Sequence, residues 1–241
     1  MKNRSALTVF SQVAAAFASL GAGMPLPTTA AFNVAPLRVE FGAGQQARDL
    51  LIRNDGETVL GVQIRVFAWS QDLAGDQYRL SQDFVISPSI VEIEPSQTQT
   101  LHLIAAIPAI SVHQAAYRVV IDQLPGSVTA LQGAAQTRLR VTIPLFAGGE
   151  RAAQGQVKPA IARNRLFLAN AGGRAIRLQN VTLHQDGKVL AFDGVNAPSY
   201  VLGGARVSFA LPAGTACGSA ITMSYEIDRV KRDAAVPQDC T

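Results

Sequence analysis

The stretch Leu60-Gly-Val-Gln-Ile-Arg-Val-Phe-Ala68 alternates two sets of side chains along the chain. One set is aliphatic and consists of Leu60, Val62, Ile64, Val66 and Ala68, whereas the other contains Gln63, Arg65 and Phe67. Successive side chains of a β-strand point to opposite faces of a sheet, so a period of two places the aliphatic set on one face. The stretch therefore predicts a β-strand with one buried face.

Similar short segments lie on both sides of this strand. The turn Asn54-Asp55-Gly56 joins it to a preceding strand at Asp49–Arg53, because these turn residues tolerate tight backbone conformations. Further strands are predicted at Phe84–Ile86, Ile90–Ile93, Thr98–Ala105, Tyr117–Asp122 and Thr137–Leu145. Helical periodicity is almost absent, and about seven short strands in this length are typical of an immunoglobulin-like sandwich. We therefore expect an N-terminal immunoglobulin-like domain over residues 32–146.

A second series of strands follows a break in the pattern. Residues 147–155 are rich in Gly and Ala and predict a linker. Beyond them, strands are predicted at Leu166–Ala169, Ile176–Leu183, Val189–Phe192, Val207–Leu211 and Ile221–Ile227. Gln185-Asp186-Gly187-Lys188 supplies a hairpin turn within this series. The predicted fold class is all-β, with a second β-sandwich over residues 156–241.

The first 31 residues have the layout of a secretory signal peptide. Lys2 and Arg4 form a basic start, Ala6–Leu20 is mostly apolar, and the following residues are prolines and small residues. This order predicts cleavage after Ala30 or Ala31 and hence export. A membrane anchor is the alternative, but the apolar run is shorter than the ~20 residues that a helical span needs.

The charge of the chain argues against a nucleic-acid partner. The formal net charge is +4, and removal of Lys2 and Arg4 with the signal peptide leaves 19 basic against 17 acidic residues. No run of Lys or Arg occurs, so attraction to polyanions is not expected. No later segment is apolar and long enough to predict insertion into a membrane.

The two cysteines, Cys217 and Cys240, lie late in the chain. In an exported protein the expected outcome is one disulfide, closing a loop of 22 residues. The chain-entropy model gives such a loop a stabilisation of roughly 3 kcal/mol. A metal-binding pair is the alternative, although no histidine lies near either cysteine in the sequence.

The sequence offers no catalytic constellation. His102, His113 and His184 lie far apart, and His102 alternates with leucines as a solvent-facing strand residue would. Glu92 and Glu94 flank an isoleucine and are expected to be solvated, and the single Trp69 is expected to cap the end of a strand. No metalloprotease pair, nucleophile elbow, phosphate loop or dinucleotide fingerprint is present. We therefore expect no enzyme activity, no cofactor and no metal.

Several segments together resemble the periplasmic chaperones of the chaperone–usher pathway, which assemble pili and fimbriae. The stretches that carry the resemblance are Phe32–Phe41, Leu50–Asp55, Phe84–Leu101, Tyr117–Pro125 and Arg138–Phe146. The first is similar to the family's first strand, with Arg38 at its basic position. The last two are similar to its penultimate and last strands. Their order and spacing cover nearly the whole chain after the signal peptide.

The departures from the familiar members indicate a particular branch. The lysine that those members carry in the last strand is Pro144 here, and a glutamate near the penultimate strand is Gln114. Ala147-Gly148-Gly149 replaces an Arg-Pro pair. The interdomain ion pairs of the familiar members are therefore not expected. The Ile-Pro-apolar-Phe ending resembles the archaic branch, whose subunits belong to the spore-coat-protein-U-like group.

The resemblance implies a cleft between the domains, a location in the periplasm, and pilus subunits and an outer-membrane usher as partners. It implies that Leu139, Val141 and Ile143 are donated to a subunit that lacks its last strand; the alternative is that they face this protein's own core. It also implies that Arg38 binds the subunit's C-terminal carboxylate. Arg118, on the neighbouring strand, is our choice for a second cation, and solvated surface residues are the alternative for both.

Two other classes of function remain. An exported pilus subunit or adhesin would have an alternating N-terminal extension and usually a single sandwich, which the length of this chain disfavours. A carbohydrate-active enzyme would need a pair of carboxylates that the sequence does not locate.

Overall fold

The computed structural model describes residues 32–106, 114–125, 138–190, 199–211, 215 and 218–239. All regular elements in these ranges are β-strands. The signal peptide, His113, Cys217 and Cys240 lie outside the described residues, so the predictions on export and on the disulfide stay predictions.

The first domain is a sandwich of two sheets. Its strands are β1 (Phe32–Ala35), β2 (Val39–Phe41), β3 (Ala47–Asn54), β4 (Leu60–Asp72), β5 (Gly75–Leu80), β6 (Phe84–Ser87), β7 (Ile90–Ile93), β8 (Thr98–Ala105), β9 (Ala115–Gln123) and β10 (Arg140–Ala147). One sheet has the order β1-β3-β8-β6. The other has the order β2-β10-β9-β4-β5, and β7 also pairs with β4.

The core of this domain lies between the two sheets and follows the predicted alternation. The side chains of Leu60, Val62, Ile64 and Val66 are buried, and the residues between them are partly exposed. They meet a second apolar layer from the facing sheet, formed by Leu50, Ile52, Leu101 and Leu103. Burial of one aliphatic side chain contributes roughly 1.5–3 kcal/mol, so this layer is the main source of the domain's stability.

The second domain is also built from two sheets. Its strands are β11 (Val157–Ala162), β12 (Arg165–Asn170), β13 (Ile176–Gln185), β14 (Lys188–Leu190), β15 (Ser199–Val201), β16 (Arg206–Ala210), β17 (Ile221–Ile227), β18 (Val230–Ala235) and β19 (Gln238–Asp239). The orders are β16-β12-β11-β19 and β14-β13-β17-β18, and β15 also pairs with β13. The core between them includes Leu166, Leu168, Leu178, Leu183 and Met223.

This architecture confirms the predicted all-β fold with two sandwich domains. Two details differ from the expectation. Strand β10 runs to Ala147, two residues beyond Leu145, because Leu145–Ala147 pair in parallel with Val39–Phe41 of β2. Several strands were not predicted, among them β5 and β18, whose side chains are almost all exposed and carry no alternation.

Candidate functional site

Strand β10 has one edge that is largely unpaired. Along its whole length it pairs with β9, from Arg140 opposite Asp122 to Ala147 opposite Ala115. On its other side β2 covers only Leu145–Ala147. From Arg140 to Pro144, that side has no partner strand among the described residues. An edge of this kind is a template for another strand.

The hydrogen-bond pattern shows which backbone groups face this edge. The Gln123 amide donates to the Leu139 carbonyl (3.0 Å), so the odd-numbered residues direct their backbone groups at β9. In an antiparallel pair the alternate residues direct theirs away from the partner. Arg140 and Thr142 therefore present N–H and C=O groups to the edge. Pro144 presents only its carbonyl there, and its missing N–H costs β10 no bond to β9.

The side chains of β10 divide between the two faces of the sheet. Leu139 and Val141 are partly buried and pack against the core of the first domain. Ile143 is only 1% exposed and belongs to that core outright. The three proposed donor residues thus share one face as predicted. Leu139 and Val141 keep exposed apolar surface that side chains of another protein could cover.

An aspartate on β9 joins three neighbouring strands on the opposite face. The Asp122 carboxylate accepts hydrogen bonds from Arg65 of β4 and Arg140 of β10. Burial acts to raise the pKa of this carboxyl, but the two guanidinium groups outweigh it and hold the pKa below its ordinary value. The Asp122 carboxylate therefore connects Arg140, at the N-terminal end of β10, to the rest of the sheet, and it does so through side chains that leave the backbone groups of the free edge unpaired.

Trp69 does not cap a strand end, and that expectation is wrong. It lies inside β4, on the face opposite the core, and is 4% exposed. There it forms an apolar cluster with Phe146 of β10 and Leu202, which follows β15. Phe146 and Tyr200 lie with ring centroids 6.2 and 5.7 Å from that of Trp69. The indole is buried because the second domain covers it.

Neutral side chains add hydrogen bonds across the same interface. The Gln71 amide donates to the Tyr200 carbonyl and accepts from the Leu202 amide, both at 2.8 Å. The Gln114 side chain accepts from the Ala175 amide (2.7 Å). The ion pairs of Arg38, Arg53, Arg65, His102 and Arg140 all lie within the first domain. Gln114, which replaces the family's glutamate, therefore joins the domains through a neutral amide.

Arg38 and Arg118 both stack on this aromatic cluster. The Arg118 guanidinium carbon lies 3.6 Å from the centroid of Trp69, and that of Arg38 lies 4.8 Å from the centroid of Phe146. The ring centroid of Tyr200 lies near both guanidinium groups, 6.0 Å from Cζ of Arg38 and 5.7 Å from Cζ of Arg118. The structure thus brings the two predicted cations to one place. The stacking restrains both guanidinium groups, and cation–π contacts contribute about 0.5–2 kcal/mol each.

The two arginines differ in their polar partners. Arg38 contacts Oε1 of Glu40 through both Nε (2.7 Å) and Nη2, which leaves the N–H groups of Nη1 available. Arg118 makes no ion pair among the described residues. Its Nε and the indole nitrogen of Trp69 are buried without a hydrogen-bond partner. Two buried donors at one interface favour a site that receives an acceptor from outside.

A cleft of about 840 Å³ opens beside this cluster. Its charged and amide side chains are Arg38 and Arg118 from the first domain and Arg177, Gln179, Asp228 and Arg229 from the second. The two second-domain arginines were not predicted. Arg177 lies in a strand and Arg229 in a hairpin turn, and nothing in the sequence links either residue to the first domain; the packing of the domains brings them to the cleft.

A smaller groove, of about 240 Å³, follows the outer face of the β4–β9–β10 sheet. Phe67, Tyr78 and Val120 line it together with the arginines of that face. Burial is the largest factor that raises the pKa of Tyr78, to about 12; the bond to Asp76 adds to this, and Arg118 opposes it. Burial and the hydrogen bond to Asp83 likewise raise the pKa of Tyr117 well above its ordinary value. Both phenols are therefore neutral donors at physiological pH.

The described residues hold neither a metal cluster nor a membrane-spanning helix. They contain no group of three or more His, Cys, Asp or Glu side chains that could hold a metal ion. They also contain no helix with the length and hydrophobicity that crossing a bilayer requires. His102 is exposed and lies 2.7 Å from Asp49 on the neighbouring strand, as a solvated strand residue would.

Comparison with known proteins gives a family match over the first domain. Residues 31–148 match the family described as "Pili and flagellar-assembly chaperone, PapD N-terminal domain". No curated protein sequence matches the chain.

Solved structures resemble the chain over both domains. A chain of the CsuC–CsuE chaperone–tip subunit pre-assembly complex, from archaic chaperone–usher Csu pili of Acinetobacter baumannii, superposes with a TM-score of 0.68 at 23% identity. That match covers 87% of this chain and 100% of the other. The E. coli chaperone DraB gives 0.60 at 18% identity, with 85% and 96% covered. A chain of the Salmonella enterica SafA pilin–SafB chaperone complex gives 0.62 at 15%, with 85% and 95% covered.

Proposed function

We propose that this chain, a member of the pilus assembly chaperones, binds pilus subunits and delivers them to an outer-membrane usher. The N-terminal segment and the family support a periplasmic location. The family is one of chaperones, so no catalytic activity is assigned. The likeness to a complex from archaic Csu pili, together with Pro144 in the last strand, supports the archaic branch.

The observation that carries the proposal is the unpaired edge of β10 beside a cationic cleft. A subunit strand can pair with Arg140 and Thr142 through their outward backbone groups without disturbing β9. The sheet of the first domain then continues into the subunit. This is strand addition to an exposed edge, a mode of recognition already established for complexes of pilus chaperones with their subunits.

Leu139 and Val141 give this pairing its apolar component. Both are partly buried, so their exposed sides are available to enter the groove of a subunit that lacks its last strand. Ile143 is already enclosed by the chaperone's own core, and it contributes by holding the strand in place. Two partly exposed anchors leave the groove incompletely filled. A subunit held in this way can still exchange the strand for that of its neighbour.

The cleft supplies an anchor for the subunit's C-terminal carboxylate. The forks of Arg38 and Arg118 both lie near Tyr200, and Arg118 has an unpartnered Nε. A guanidinium group binds a carboxylate through two parallel hydrogen bonds. With Pro144 at the family's lysine position, Arg118 from the adjacent strand replaces that charge: Pro144 and Arg118 lie directly opposite each other.

The second candidate, an exported structural subunit or adhesin, has less support. A subunit of this pathway lacks the last strand of its sandwich, whereas the first domain here has an ordered β10 in its sheet. Such a subunit also usually has a single sandwich, whereas this chain has two.

Co-purification from periplasm tests the proposed function. The tagged chain is co-expressed with the pilus subunits of its own gene cluster, and the bound protein is identified by mass spectrometry. Val141→Asp should abolish recovery of the subunit, because a carboxylate cannot enter an apolar groove. Val85→Asp, at the exposed edge of the other sheet, is the matched control and should recover the subunit normally. Equal recovery with both variants would contradict the proposal.

A further inference from the structure

The second domain contributes two arginines to the cleft that the proposed anchor does not use. Arg177 lies on β13, and Arg229 lies in the turn between β17 and β18. Both line the same cleft as Arg38 and Arg118. Neither takes part in an ion pair within the part of the chain that the structure describes. On the basis of the proposed function, we propose that Arg177 and Arg229 form a second anion-binding subsite, which binds an Asp or Glu side chain near the subunit's C-terminus.

The position of Arg177 places it next to the anchor. It lies directly opposite Tyr200 in the pairing of β13 with β15. Residues directly opposite each other in an antiparallel pair project to the same face, with Cβ atoms about 4.5–5.5 Å apart. The ring of Tyr200 is close to both Arg38 and Arg118. Arg177 is therefore an immediate neighbour of the group that binds the terminal carboxylate.

Arg229 occupies a backbone conformation that its residue type disfavours. Asp228 and Arg229 form a two-residue hairpin turn with φ of 51° and 66°. At the second position of such a turn, glycine is strongly preferred, because a Cβ at positive φ is strained. The hairpin between β13 and β14 has Gly187 at that position. Arg229 thus occupies a position where glycine would be less strained, and its side chain lines the cleft.

The charges of the cleft exceed what one carboxylate can balance. Four arginines line it, against the single carboxylate of Asp228. Glu40 pairs with Arg38 only. The terminal carboxylate of a subunit adds one negative charge, which leaves the second-domain side of the cleft cationic. A peptide strand that ends at Arg38 and Arg118 has its last residues in this cleft, so an acidic side chain among them can contact Arg177 and Arg229.

Synthetic strand peptides test the subsite separately from the anchor. Fluorescein-labelled peptides with alternating Val and Thr carry either Asp or Asn near the C-terminus, and end in either a carboxylate or an amide. Binding to the full chain is measured by fluorescence anisotropy at low ionic strength. The wild type should bind the Asp peptide about tenfold more tightly than the Asn peptide, a difference of about 1.4 kcal/mol.

The variant Arg177→Gln/Arg229→Gln should lose the preference for Asp and keep the preference for a free carboxylate. Arg163→Gln is the matched control, because Arg163 is also an exposed arginine at positive φ in a hairpin turn but does not line the cleft. It should behave as the wild type. Persistence of the Asp preference in the double variant would overturn the subsite. Equal binding of amide and carboxylate peptides by the wild type would instead overturn the anchor.

Arg229→Gly gives a readout that is independent of binding to the anchor. Glycine removes the strain at positive φ, so the midpoint of urea unfolding should rise while the preference for the Asp peptide falls. A variant that is no more stable and discriminates as well as the wild type would show that Arg229 is not held in place for the cleft.

Discussion

Arg38 is the residue on which the proposed anchor depends most. The side chain of Arg38 is 38% exposed and forms an ion pair with Glu40. A carboxylate bound there would accept hydrogen bonds from a charged donor in a partly desolvated site. Arg38→Ala should therefore weaken subunit binding about ten- to hundredfold, since such bonds contribute about 1.5–3 kcal/mol. The measurement is the dissociation constant of the purified complex.

Arg53→Ala is the matched control for Arg38→Ala. Arg53 also pairs with a carboxylate two residues further along the chain, Asp55, but it does not line the cleft. Its replacement should leave the dissociation constant unchanged. If both alanine variants bind the subunit alike, Arg38 acts only as a surface residue.

Asp122 makes the stability of the first domain depend on pH. The hydrogen bonds from Arg140 and Arg65 lower its pKa in the folded protein below the ordinary value of 3.8. A lowered carboxyl pKa stabilises the fold above the unfolded-state value, and this contribution is lost as the pH falls through the folded-state value. The wild type should therefore lose more free energy of unfolding than Asp122→Asn between about pH 5 and pH 2, in urea titrations. Parallel losses in the two proteins would exclude this role of Asp122.

The free edge of β10 is a property of the element rather than of one side chain. The outward N–H of Thr142 is predicted to pair with the subunit, whereas that of Val141 pairs with β9. Thr142→Pro should therefore keep the domain folded and reduce the recovery of subunit strongly, because proline removes the edge donor and its ring blocks an approaching strand.

The matched variant Val141→Pro breaks a bond to β9 and should destabilise the domain itself, by about 3 kcal/mol or more. Far-ultraviolet circular dichroism and thermal melting separate the two effects. A Thr142→Pro chain that melts like the wild type and still recovers the subunit fully would refute pairing at this edge.

The whole molecule depends on how its two domains are joined. The interface consists of an aromatic cluster and the neutral amides of Gln71 and Gln114, with Arg38 and Arg118 stacked on the rings. Such contacts are only weakly sensitive to salt, in contrast to ion pairs. The geometry of the cleft is therefore maintained mainly by packing, and the arginines remain available for an anionic ligand.

The C-terminal domain is predicted to carry the one covalent cross-link of the chain. Cys217 and Cys240 should be oxidised in protein isolated from periplasm, and no thiol should be titrated after denaturation without reductant. Their replacement by serine should lower the free energy of unfolding of this domain by roughly 3 kcal/mol. Two reactive thiols in freshly isolated, unreduced protein would exclude the disulfide.

The strands with one buried face, the two sandwiches and the inner face of β10 follow from the sequence alone, because the period of two is a local property of such a strand. Leu60–Ala68 and the Leu139–Val141–Ile143 series show it directly. Arg38 and Arg118 were proposed from a resemblance, and the structure places both at one cluster. The exposed strands β5 and β18 were missed because, without a buried face, nothing in their sequence alternates.

Only the tertiary structure decides which surfaces face each other across the two domains. The sequence around Trp69 does not distinguish a strand end from a position under Leu202. The packing of the second domain buries this side chain. The same packing brings Arg177 and Arg229, more than fifty residues from Arg118 in the chain, to one cleft. Sequence patterning specifies the inner face of each sandwich, because every strand must bury it. The contact between two folded domains involves outer faces, where no periodicity marks the residues that meet.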